Sequence, residues 1–139
     1  QPYTIFNLLP SEISSVTLEN HADTASSFRI ISSGRSFVLT GISGWDSTRI
    51  KRYISYFTWI PFESRANNIT GDTKLLYTIT VKRSSGEEIA LELWEKYDLQ
   101  TGERDSDRLY GKVASGDDLL IIRYFDIDPL LKKRSYFYQ

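Results

Sequence analysis

The residues that could do chemistry are few and dispersed. The one histidine, His21, is followed by Ala22-Asp23-Thr24 in a polar, serine-rich stretch. Hydrolysis on that ring would need a nucleophile on one nitrogen and an orienting carboxylate on the other. No strained nucleophile turn accompanies it, so His21 reads as a solvated loop residue. Two carboxylates at controlled separation would suffice for glycoside cleavage. Glu92 and Glu95 are the nearest pair on one strand-like run, but their odd spacing sends them to opposite faces. Asp98, Glu103, Asp105 and Asp107 lie in one long polar loop and offer hard oxygen ligands of the kind calcium takes. The loop lacks the twelve-residue Asp-x-Asp-x-Asp-Gly pattern, and Arg104 and Arg108 sit among the acids, so a solvated loop is the reading. The expectation is of no catalytic residues, no bound metal and no cofactor. Asn68-Ile69-Thr70 is a formal glycosylation sequon, read here as a turn before a strand that begins near Leu75.

Composition narrows the partners. Seventeen basic and eighteen acidic residues give a formal net charge of −1. The basic residues are scattered apart from Lys132-Lys133-Arg134, which argues against nucleic acid. No cysteine is present, so disulfides and thiolate metal sites are excluded. The longest uninterrupted apolar run, Leu119 to Ile122, is far too short to span a membrane. The chain begins at Gln1 and holds no methionine. It is expected to be a processed or excised product whose signal segment has gone, with room for a membrane tether upstream. Its length is that of one ordinary domain, residues 1–139.

Three triplets of a small residue, serine and glycine punctuate strand-like runs: Ser32-Ser33-Gly34, Ser84-Ser85-Gly86 and Ala114-Ser115-Gly116. Each is a hairpin tip, because glycine reaches positive φ without a Cβ clash. In the first hairpin a Ser33-Gly34 turn sets Ile30 opposite Phe37 and Phe28 opposite Leu39. In the second, a three-residue loop pairs Val81 with Ile89, Ile79 with Leu91 and Tyr77 with Leu93. It also sets Lys82 against Glu88 and Thr78 against Glu92, so both faces are consistent. The third turn is either Ser115-Gly116 or Gly116-Asp117, and its second strand is apolar on both faces, with Leu119, Ile121 and Phe125 on one and Leu120, Ile122 and Tyr124 on the other, as in a central strand. Ile13 to Glu19 has the β-branched content of another strand.

Between the first two hairpins, Ile50, Tyr53, Ile54 and Phe57 fall at i, i+3, i+4 and i+7, with Asp46 or Ser47 as the cap. The spacing predicts a helix over about 46–57, covering one face of the sheet. Asp128-Pro129 reads as a cap followed by proline, opening a short turn through Arg134. The predicted fold is α+β: a mostly antiparallel sheet of six or seven strands, one main helix on one face, and a C-terminal helical turn.

The second hairpin's register also sets Leu76 and Trp94 against each other on its polar side. An apolar pair there is either covered by a neighbouring segment or offered as a contact site. Trp94 and Leu76 are therefore the leading candidates for an interaction patch, with Trp45 and Trp59 at the helix ends as weaker ones.

The order of elements carries a family likeness. The stretches concerned are Val16-Thr17-Leu18, the Phe28–Leu39 hairpin, the Asp46–Phe57 helix running into Thr58-Trp59-Ile60, and the Tyr77–Leu93 hairpin. Asp107-Arg108-Leu109-Tyr110-Gly111 and the ending Tyr124-Phe125-Asp126-Ile127-Asp128-Pro129-Leu130-Leu131 fit as well. In these the chain resembles a bacterial domain-of-unknown-function family of extracytoplasmic proteins, some members of which accompany gliding-motility-type ABC transporter components. Phe37-Val38-Leu39 stands where members often carry a tryptophan. The resemblance implies a cell-envelope location, as for a lipoprotein, and assigns no catalytic residue. The functional expectation is a non-enzymatic interaction or assembly domain with an envelope protein partner. The alternative is a glycan- or lipid-binding module that uses the same aromatics.

Overall fold

The computed structural model describes residues 3–68 and 73–138. Its centre is an eight-stranded sheet in which every neighbouring pair is antiparallel. In chain order the strands are β1 (Thr4–Phe6), β2 (Ile13–Asn20), β3 (Phe28–Ser33), β4 (Ser36–Leu39), β5 (Ile60–Pro61), β6 (Ser64–Ala66), β7 (Leu75–Arg83), β8 (Glu88–Trp94), β9 (Arg108–Val113) and β10 (Leu119–Arg123). The large sheet runs β4-β3-β2-β7-β8-β9-β10-β6, and β1 pairs with β5 in a separate ribbon. The three expected hairpins are β3–β4, β7–β8 and β9–β10. The strands beyond the six or seven expected are two or three residues long, too short to show a period-2 pattern.

Alternation explains which face is covered. Val16 and Leu18 of β2, Ile79 and Val81 of β7, and Leu91 and Leu93 of β8 point into the core, fully buried. Their neighbours Thr17, Thr80 and Glu92 face the other way. Helix α1 (Ser47–Ser55), prolonged by a 3-10 turn over Tyr56–Thr58, lays Ile50, Tyr53, Ile54 and Phe57 on the core. Asp46 caps it by accepting from the backbone N–H groups of Thr48 and Arg49. Tyr53 is the hub: its ring meets Phe28, Phe57 and Phe137 edge-on at 5.4–5.6 Å, and its hydroxyl donates to the Leu130 carbonyl at 2.8 Å. Edge-on pairs of this kind add roughly 0.5–1.5 kcal/mol each beyond area burial.

The second hairpin has the predicted register along Tyr77–Lys82, and Gly86 takes positive φ at its tip. The first differs. Ile30 lies opposite Leu39 and Ser32 opposite Phe37, so the turn is Gly34-Arg35. Gly34, at φ +63°, occupies the first central position of that turn, where a left-handed residue is needed. The shift is two residues, so the faces are unchanged. In the third hairpin, Lys112 faces Leu119. That register is centred on Ser115-Gly116, although the ladder opens before the tip.

Two further differences bear on function. Leu76 does not face Trp94: a bulge between Leu75 and Tyr77 pairs Trp94 with Leu75 instead. The two-faced apolar run after the third turn is paired on both sides, by β9 and β6, but it leaves the sheet at Arg123. Tyr124–Ile127 form the short helix α2, followed by 3-10 turns at Asp128–Leu130 and Arg134–Tyr138. The C-terminal turn thus begins four residues before Asp128, and Asp128 is the first residue of a 3-10 turn whose cap position is Ile127.

Candidate functional site

The most exposed large aromatics of the described residues that share a cavity are Phe125, 85% exposed, and Trp59, 60% exposed. They line an open cleft of about 510 Å³. Its first wall is built where α1 runs out: the 3-10 turn presents Tyr56, the chain turns extended at Trp59, and β5 follows with Ile60-Pro61. Its second wall is α2 with the following turn, carrying Tyr124, Phe125 and Asp128. Ile60 and Ile127 are buried and anchor the walls to the core. β5 is held in turn by β1, and Trp59 Nε1 donates to Thr4 Oγ1 at 3.3 Å.

The charges of the cleft are acidic. Asp126 is taken up by Arg123 at 2.9 Å. Asp128 is exposed and has no ion-pair or hydrogen-bond partner for its carboxylate among the described residues. Burial, then the nearby Asp128, push the Tyr124 phenol above its ordinary value, so it stays a protonated donor at neutral pH. A smaller hollow that shares Tyr124 and Phe125 with the cleft is lined by Arg108 and Arg123. Arg108 is held by Glu63 in a two-pronged pair at 2.7 and 3.1 Å. That pair holds the Glu63 carboxyl below the usual range.

The four residues proposed from the sequence are not gathered into one place. Trp59 lines the aromatic cleft. Trp45 is half-buried and lines a second cleft, about 470 Å³, between β4 and α1, with Phe37, Val38 and Ile54. Trp94 is half-buried on the sheet face away from the helix, beside Tyr110 of β9, and its Nε1 is buried with no hydrogen-bond partner. Leu76, in the bulge, leans on the core. Phe125 is not among the sequence candidates because the apolar pattern from Leu119 to Phe125 reads as one strand, whereas the strand ends at Arg123 and a helix begins at Tyr124. The signals for a helix were Arg123 and Asp126 at i, i+3, and the Asp128-Pro129 pair just beyond.

The residues weighed for chemistry are placed as follows. His21 is exposed and its Nε2 meets Thr78 Oγ1 at 2.8 Å, while Asp23 is bonded to Ser26 at 2.6 Å, so no histidine-carboxylate-serine line forms. Glu92 is half-buried opposite Thr78 and Lys112. Glu95 is buried, and one of its carboxylate oxygens lacks a partner. In the acidic loop, Asp98 accepts from the N–H groups of Gln100 and Thr101, and Asp105 from those of Asp107 and Arg108. Asp105 also pairs with Lys96 at 3.5 Å. These two carboxylates hold backbone turns, and no cluster of three metal-ligating side chains occurs among the described residues. Asn68 of the sequon is exposed, while Ile69 and Thr70 lie outside the described residues.

Compared with known proteins, the chain matches no protein-family model, no curated protein and no solved structure. No helix among the described residues is long and apolar enough to cross a membrane.

Proposed function

We propose that this chain is a non-enzymatic interaction domain of a bacterial cell-envelope assembly, and that it engages a protein partner through the cleft between Trp59 and Phe125. The observation that carries the reading is the exposure of these two rings, which line one hollow. A Trp and a Phe left this open cost solvation and are explained by a partner that covers them. The family likeness of the sequence supports the envelope setting. Trp94 and Trp45, half-buried elsewhere, would at most extend the contact.

The experiment is affinity capture from a bacterial envelope extract with the domain as bait. Wild type retains a specific partner, and the Trp59→Ala/Phe125→Ala variant loses it while melting normally. Equal retention by both would place the contact elsewhere, with Trp94→Ala the next variant to try. The second reading, a glycan- or lipid-binding module, is favoured by one observation: the cleft is concave and carries carboxylates at Asp126 and Asp128. A saturable thermal shift with oligosaccharides or phospholipid, absent in the same variant, would favour it.

A further inference from the structure

Resting on that interaction reading, we infer that the segment recognised in the aromatic cleft is an extended, proline-rich peptide carrying a basic residue. The lining decides between chemistries. Trp59, Phe125, Tyr56, Tyr124 and Pro61 supply flat apolar surface, and no Asn, Gln, Ser, Thr, Lys or Arg side chain lines the hollow. A sugar presents hydroxyls in several directions and needs many converging donors and acceptors, whereas this lining offers two phenols and two carboxylates, one of which Arg123 already holds. A polyproline-type helix needs the opposite: flat rings on which to lay its own rings, and a few donors for its backbone carbonyls, which make no internal hydrogen bonds. The hydroxyls of Tyr56 and Tyr124 have no hydrogen-bond partner among the described residues and are available as those donors. Such a ligand also arrives already extended, so an open, shallow surface need not supply the cost of ordering it.

Charge complementarity adds the basic residue. Of the two carboxylates in the cleft, Asp126 is neutralised by Arg123, while Asp128 has no ion-pair partner among the described residues. A Lys or Arg flanking the prolines would meet Asp128 and could lie over an exposed ring at the same time.

The test is a fluorescence and isothermal titration of the whole domain with an acetylated, amidated nonamer of proline carrying one central arginine. Controls are its glutamate twin and an arginine nonamer in glycine. The arginine–proline peptide binds saturably. The glutamate twin binds about fivefold more weakly, the size of one exposed charge pair, and Asp128→Asn removes that difference. Trp59→Ala, Phe125→Ala and their combination each weaken binding by about tenfold or more, with circular dichroism unchanged. Equal binding of the glycine peptide, or no saturation by the proline peptide, overturns the inference. If the proline peptide fails while envelope capture still depends on Trp59, only the ligand class falls. If both fail, the interaction reading falls with it. Saturable binding of a chitin or peptidoglycan oligosaccharide at Trp59 in place of the peptide would assign the cleft to glycan.

Discussion

At the scale of single residues, the chain separates aromatics that hold the fold from aromatics that are offered outward, and the two sets respond differently to substitution. Tyr53 belongs to the first set. Burial pushes its phenol above the ordinary value, so the neutral form is favoured in the folded state. An unfolded tyrosine ionises near pH 10, below the folded value. The contribution of Tyr53 is therefore fully present below about pH 10 and is lost as the pH rises beyond it. Tyr53→Phe removes the hydroxyl that meets the Leu130 carbonyl and is expected to cost about 1 kcal/mol at neutral pH. Urea unfolding at neutral and at alkaline pH should show that cost together with a smaller loss of stability above about pH 10. Trp59 and Phe125 belong to the second set. Replacing either by alanine should change stability by no more than about 0.5 kcal/mol in the same measurement. Trp59 was legible as a candidate because it lies just past an obvious helix. Phe125 was not, since a phenylalanine in an apolar run has the same composition whether the run stays in a sheet or coils out of it.

The elements show where sequence pattern is sufficient and where it stops. Helix α1 was legible to within a turn because cap and periodicity agree: Asp46 bonds two backbone N–H groups, and Ile50, Tyr53, Ile54 and Phe57 are all buried. Asp46→Ala should cost about 1 kcal/mol, seen as a melting point lower by about 4 °C. The β7–β8 hairpin was legible because both of its faces constrain the register. The β3–β4 register was not, since moving the turn from Ser33-Gly34 to Gly34-Arg35 keeps every side chain on its own face. The Leu76 bulge was missed for a related reason. One extra residue at a strand end leaves the pattern further along intact, and the pairing of Trp94 is decided only by the ladder itself. A close packing contact inside the sheet was also invisible. A Cβ at Gly111 would run into Ile122 Cδ1 and touch Leu91 Cδ1 at 3.5 Å. Gly111→Ala is thus expected to destabilise by about 1–3 kcal/mol, and Ile122→Val, which deletes the offending methyl, to recover part of that loss in a double-mutant cycle.

Across the whole molecule, the division of labour is between one covered sheet face, which holds the fold, and the end of the structure where α1, β5 and α2 meet, which presents the cleft. The α+β architecture was legible because hairpin tips and one amphipathic helix account for most of the chain. The cleft was not, because it is made by two segments about sixty residues apart, Tyr56–Pro61 and Tyr124–Asp128, which only the folded chain brings together. The Glu63–Arg108 pair ties the chain leading into β6 to β9 beside that end. Glu63 titrates below the usual carboxylate range because Arg108 hydrogen-bonds it. Its contribution is present above the ordinary carboxylate pKa and is lost as the pH falls through the lowered one. Glu63→Gln should accordingly flatten the acid limb of the stability profile and leave the alkaline limb unchanged. The most direct test of the cleft as the recognition surface uses the three tryptophans, Trp45, Trp59 and Trp94, which occupy three different settings. With 5-fluorotryptophan incorporated, each gives a separate fluorine resonance. On titration with a bacterial envelope extract, the resonance of Trp59 should shift or broaden while those of Trp45 and Trp94 stay in place. Perturbation of Trp94 or Trp45 with Trp59 unmoved would contradict the account.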